Sequence, residues 1–202
     1  MTLLKIKPYL EQASTWPSEG RHILAQYDES AIIVYQAYRP DIAEYAVTHQ
    51  RFGGEFSYSR MSWIKPNFLW MMFRCGWASK AGQERVLAVR LSRTFFNEVI
   101  HQAVRSTYDP AQYESMQTWQ AAVKHSDVRV QWDPDHDPAG KPLTRRAVQL
   151  GLRGDALRRY GQSEVLGIED ITEFVKEQSM NAKAPFESLL MPEERVYSAS
   201  YP

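Results

Sequence analysis

The sequence predicts an α+β fold: one domain over residues 1–202, with packed helices on a mainly antiparallel sheet. Three observations carry that expectation. Strand-like and helix-like segments intermix without the regular β-α alternation of a doubly wound sheet. A chain of 202 residues is long enough to bury a substantial single core. There is no Gly-x-Gly-x-x-Gly fingerprint and no Walker-type phosphate loop, which removes the two easiest nucleotide-binding readings.

After an N-terminal extension over residues 1–21, "HILAQYDESAIIVYQAY" (His22 to Tyr38) reads as a β-hairpin interrupted by Asp28-Glu29-Ser30. "RPDIAEYAVTHQRFGG" follows as a helix, opened by Pro40 and stopped by Gly53-Gly54. Pro66 opens a second helix running towards Trp77, and "ERVLAVRLS" (Glu84 to Ser92) alternates as a strand. Two helices come next, one with Phe95, Val99, Ile100 and Val104 on a stripe, the other starting at Asp109-Pro110. "VRVQWD" is a strand, "PDHDPAGKPL" a polar loop and "RRAVQLGL" the returning strand. A short helix, "GDALRRYG", a strand, "EVLGI", and a helix, "EDITEFVKEQ", complete the order. The tail, 179–202, is expected to be partly docked through Leu189-Leu190-Met191 and Val196-Tyr197.

Lys plus Arg (24) balance Asp plus Glu (24), so a nonspecific nucleic-acid coat or a membrane-surface protein is not expected. A single cysteine, Cys75, excludes an intrachain disulfide and fits a reducing cytoplasm. No apolar run approaches the roughly 20 residues that span a bilayer. The first residues, "MTLLKIKPYLEQASTWPSEG", show no secretory pattern, and a cytoplasmic location with no membrane partner is expected.

The most informative stretch is "RMSWIKPNFLWMMFRCGW", Arg60 to Trp77. At about 100° per residue, Asn67, Trp70, Arg74 and Trp77 share a narrow face. The helix is apolar nearly all round, which predicts burial. A buried Arg74 needs a partner, either a core carboxylate or the phosphate or carboxylate of a ligand. Free N–H groups near Asn67 and Phe68 make an anion-binding end, approached by Arg60 and Lys65. Arg60, Ser62, Trp63, Lys65, Asn67 and Trp70 are therefore the candidate ligand-binding set, with phosphate and an aromatic ring as the ligand groups.

Further on, Asp133, Asp135, His136 and Asp137 fall within five positions. Oxygen ligands with one imidazole suit Mg²⁺ or Mn²⁺, yet the spacing matches neither an EF-hand nor a zinc pattern. No metal is expected; Asp133, Asp135 and His136 are the residues that would hold one. The bland reading is a loop whose carboxylates are used up in Asx-turns. Arg146 and Gln149 follow as ligand-binding candidates, although strand alternation forbids Arg145, Arg146 and Arg153 from all lining one pocket. Cys75 has no adjacent histidine and reads as a core residue.

Together "VYQAY", "HQRFGGEFSYSRMSWIKPNFLWMMFRCGW", "QERVLAVRL", "VRVQWDPDHD", "RRAVQLGLRG" and "IEDITEFV" resemble the domain-of-unknown-function family 4291, found in bacteria and some fungi. The resemblance runs from about Ile23 to Tyr197, so a bacterial source is one implication. Arg39 and Glu164 depart from the family's pattern, which argues against shared catalytic roles for them. A looser similarity is to the ADP-ribosyltransferase fold, carried by strand "IIVYQAYR", helix "PDIAEYAVTHQRFG", a Ser-bearing segment and an aromatic helix. It implies NAD as substrate, an aromatic ring stacked on the nicotinamide and a glutamate late in the chain. Glu164 and Glu194 are available, and Glu194 fits the family's Pro-x-Glu-x-Val-Tyr pattern.

The expected function is thus a nucleotide- or nucleic-acid-directed enzyme, similar to an NAD-dependent ADP-ribosyltransferase, with Glu194 and Arg74 as catalytic candidates. Two alternatives stand beside it. One is a non-catalytic RNA- or nucleotide-binding module, the other a metal-dependent phosphoesterase on the Asp133–His136 stretch.

Overall fold

The computed structural model of the protein describes residues 2–199. Its elements run β1 (Ile6–Pro8), α1 (Tyr9–Ala13), β2 (Ile23–Ala25), β3 (Ala31–Tyr38), α2 (Pro40–His49), β4 (Ser62–Ile64), α3 (Phe68–Cys75), β5 (Arg85–Ser92) and α4 (Arg93–His101). They continue with β6 (Val104–Arg105), α5 (Met116–His125), β7 (Val128–His136), β8 (Pro142–Leu152), α6 (Gly154–Gln162), β9 (Val165–Asp170), α7 (Thr172–Ser179), β10 (Leu190–Pro192) and β11 (Arg195–Tyr197). The fold is α+β with mainly antiparallel sheets; among the described ladders only β6 with β7 is parallel. None of the described helices is long and apolar enough to cross a membrane.

Two larger sheets carry the architecture, one ordered β3-β5-β9 and the other β4-β8-β7-β6. Strand β3 is buried on both faces. Its alternate residues Ile32 and Val34 join one core cluster with Val89, Phe96 and Leu150, while Ile33 and Tyr35 join a second with Phe68, Met72 and Val175. Period-two alternation thus feeds two cores from one strand. The sheets meet at β3 and β4, where the Tyr35 N–H donates to Lys65 O (2.7 Å) and the Lys65 N–H to Tyr35 O (3.3 Å).

Helix α3 is buried as its sequence predicts, with six of its eight residues inside. Asn67 caps it by accepting from the Trp70 N–H at 2.7 Å. It stops at Cys75 because Gly76 turns left-handed (φ +58°), before reaching Trp77. Trp77 then packs edge-on against Phe68 at 5.9 Å and does not share the face of Arg74.

Five sequence-based expectations need correction. Helix α4 ends at His101, and Val104 opens the short strand β6 instead of completing the helical stripe. The His22–Tyr38 segment closes locally through Asp28 N–H to Ala31 O, but β2 then leaves β3 and pairs with β11. Helix α2 ends at His49 rather than at the glycine pair, since Gln50 is left-handed (φ 53°) and its amide donates to Val47 O. Helix α5 begins at Ser115, which forms a capping box with Thr118; Asp109 instead pairs with Arg105. The acidic "loop" is largely strand, because β7 runs on to His136 and only the segment before Pro142 turns.

Both ends of the described chain dock. Strand β1 pairs with β10 and β2 with β11, and Trp16 Nε1–H donates to Glu194 O at 2.9 Å. Inside the larger core, the fully buried Tyr160 hydroxyl donates to Gln36 Oε1 at 2.6 Å. Tyr160→Phe leaves that buried acceptor unpaired and is expected to lower stability by about 1–3 kcal/mol, read as a lower urea midpoint at unchanged m.

Candidate functional site

Where β3 and β4 part, the two sheets leave a cleft of about 590 Å³ floored by β7 and β8 and walled by α3. On β7 and β8 one face supplies core residues (Val130, Val148, Leu150) and the other supplies the polar floor: Gln131, Asp133 and Gln149. Asp133 is clamped there, accepting from Gln131 Nε2 and Gln149 Nε2, each at 2.8 Å. It is the one carboxylate on the lining.

The β3 side is a second polar knot. Gln36 Nε2–H donates to Ser62 Oγ (2.8 Å) and to Trp63 O (3.2 Å), and the Ser62 and Tyr38 hydroxyls lie 3.0 Å apart. Trp63 lies half-buried on the lining opposite Gly151, and a Cβ at 151 would come within 3.0 Å of its indole and 2.6 Å of Met61 Sδ. The glycine is needed for that ring to lie close to the strand.

Three cations line the cleft and differ in kind. Arg60 and Arg74 are exposed at its rim, and among the described residues neither has an ion-pair partner. Lys65 is 6% exposed, and its Nζ donates only to Trp63 O at 3.3 Å. Burial, reinforced by the Arg74 charge and opposed by Asp133, pulls its pKa down to about 7. Trp70 lines the cleft but is already stacked, with Phe73 at 5.5 Å and His136 at 5.3 Å. Two further cavities adjoin. One of about 320 Å³ shares Tyr38, Arg60 and Ser62, and one of about 500 Å³ shares Gln131 and Asp133. A separate cavity of about 230 Å³ near Arg90 and Asp28 holds charges that already pair at 2.9 Å, so it offers less to a ligand.

Of the residues singled out in the sequence, Arg60, Ser62, Trp63, Lys65, Trp70, Arg74 and Gln149 gather at the cleft. The others are placed elsewhere. The place at the start of α3 is taken by the carboxyl of the protein's own Glu194: Oε1 accepts from the Phe68 N–H (2.6 Å) and Oε2 from Asn67 Nδ2–H (3.3 Å). Asn67 and Glu194 are buried in this cap and off the cleft lining, so neither is placed to meet a ligand. Arg146 is exposed on the opposite side of β8 from Gln149, as the odd spacing between them requires.

The acidic stretch is likewise divided. Asp135 is buried against Arg145 (2.7 Å), which also donates to Pro17 O, and burial raises the Asp135 pKa against the pull of that guanidinium. His136 is sandwiched at 3.6 Å from Phe73, with its pKa lowered by burial. Asp133 alone reaches the cleft, and among the described residues no three His, Cys, Asp or Glu side chains are grouped to hold a metal ion.

Gln36, Tyr38, Gln83 and Gln131 were missed from sequence. Gln36 carried a signal, since a glutamine inside "AIIVYQAY" must find partners when buried. Gln83 lies in the turn before β5 and carried none.

Two outcomes follow from the buried carboxylates. Asp135→Ala leaves Arg145 buried without its partner and is expected to cost about 3–5 kcal/mol, measured by denaturant unfolding. Burial raises the Glu194 pKa well above its unfolded 4.5, against the pull of the Phe68 N–H. The folded state therefore holds that proton more tightly, so the contribution is full below 4.5 and is lost as pH climbs through the folded value. Glu194→Gln should flatten this part of the stability–pH curve, whereas Glu194→Ala should lower stability by about 1–3 kcal/mol.

Comparison with curated proteins finds no match. The family model described as Domain of unknown function (DUF4291) matches residues 22–197, nearly the whole chain and the whole cleft. The protein is a member of the DUF4291 family.

Proposed function

We propose that the cleft binds a nucleotide and that the protein is an enzyme acting on it, with NAD as the substrate to test first. The observation that carries this reading is two arginines without ion-pair partners, Arg60 and Arg74, on the same 590 Å³ cleft as the half-buried indole of Trp63. Guanidinium groups meet phosphate oxygens in bidentate pairs, and an indole offers a face to a base or nicotinamide ring. The amides of Gln83, Gln131 and Gln149 supply both donors and acceptors for ring edges and ribose hydroxyls.

An ADP-ribosyl transfer needs a carboxylate near the ribose carbon as positive charge develops there. Glu194 is committed to the α3 cap, so this role falls to Asp133, oriented by its two glutamines. Arg74 then acts in phosphate binding.

Titration calorimetry with NAD, ADP-ribose and ATP tests the binding. The expected result is a saturable heat that Arg60→Ala plus Arg74→Ala weakens by about 10–100-fold. Absence of heat with all three sinks the reading. Release of nicotinamide on incubation with protein or RNA acceptors, abolished by Asp133→Asn, supports the transferase. Nucleotide binding with no product selects the non-catalytic binding module instead.

A further inference from the structure

Lys65 stands apart from the other two cations of the cleft. It follows β4 directly, and its backbone is pinned on both sides to Tyr35 at the joint of the two sheets. An ammonium has three donors to satisfy, and here one long contact to Trp63 O is the whole provision. No carboxylate of the described residues lies within ion-pairing reach of Nζ. A charged amine so buried and so poorly partnered is disfavoured, whereas a neutral amine has one donor fewer, carries no charge to desolvate and keeps a lone pair.

We propose that Lys65 is the proton-accepting group of the cleft, taking the proton of the hydroxyl or amine that attacks the bound substrate. This rests on the nucleotide reading above and revises the part played by Lys65 in it. The phosphate clamp is then Arg60 and Arg74 alone. As the attacking oxygen or nitrogen bonds to the ribose carbon of NAD, its proton passes to Nζ. The bond from that carbon to nicotinamide breaks, and its electron pair leaves with nicotinamide, now neutral. One proton is released overall, which Lys65 holds and then yields to water.

The charged and titratable groups around Nζ are Arg74 and Cys75 on α3, Asp133 on β7, Arg60 ahead of β4 and Tyr38 on β3. Burial is the largest influence on the amine and favours the neutral form; Arg74 adds to it and Asp133 opposes it. The two neighbours therefore tune the group in opposite, measurable directions.

The test is acetylation of the whole protein with acetic anhydride across pH 5–10, in the range about the pKa values of free and perturbed lysines, with each site mapped by peptide mass spectrometry. Lys65 is expected to reach half-maximal reactivity near pH 7, with the exposed Lys124 as internal control. Arg74→Gln should move that midpoint up and Asp133→Asn should move it down. Lys65→Met should slow nicotinamide release by about 100-fold or more while changing NAD affinity less than about threefold. A midpoint near the ordinary lysine value of about 10.4 overturns the proposal even where NAD binds. So does absence of labelling at any pH, because a base must be reachable from the cleft. A midpoint near 7 on a protein that binds no nucleotide supports the base and overturns only the nucleotide reading.

Discussion

The architecture turns on one pair of backbone hydrogen bonds, between Tyr35 and Lys65. They are the point at which a strand of one sheet touches a strand of the other. Beyond it β3 continues to Tyr38 against β5, while β4 runs back along β8, so the sheets diverge. A cleft between diverging sheets has rigid walls, because each wall is held by its own ladder. Gln36, Tyr38, Trp63, Gln131, Asp133 and Gln149 line it from strands and Trp70 and Arg74 from α3, which holds those side chains on regular elements. At this joint Tyr35 packs its side chain into the core, while the nearly buried Lys65 lines the cleft.

The charges of the molecule fall into two groups with different duties. Arg145, Asp135 and Glu194 are buried and bound to groups far along the chain, fastening the N-terminal segment and the C-terminal strands to the centre. Such groups set which arrangement of the chain is acceptable more than they add net stability. Arg60, Arg74 and Lys65 line the cleft without carboxylate partners, beside one clamped Asp133. Unmatched cations in a concave, aromatic setting are the feature on which the nucleotide proposal rests.

Much of this was legible in the sequence, and the limits have physical causes. The helix after Pro66, its burial, and the gathering of Arg60, Trp63, Lys65 and Arg74 could be read from local periodicity and charge. The partner of the helix N-terminus could not, because Glu194 lies 126 positions from Phe68 and only the folded chain brings them together. An external anion was expected there; the chain fills the place with its own buried carboxyl instead. The length of β7 was misjudged because proline and three aspartates read as loop. Cross-strand pairing of Asp135 with Arg145, and the register shift between Pro134 and His136, absorb them into the ladder. Gln36 shows the opposite lesson: one polar residue in an apolar strand was the trace of a network that holds Ser62.

The capping of α3 by Glu194 also sets a timetable. Asn67 and Glu194 are separated by 127 positions, which at about 5–20 residues per second is on the order of ten seconds of translation. During that interval the start of α3 lacks its carboxylate, and the Phe68 and Asn67 N–H groups stay exposed to water. The wall of the cleft settles only when the last strands arrive. A chain cut short before residue 194 therefore leaves the Phe68 N–H and the Asn67 amide without this partner at the start of α3.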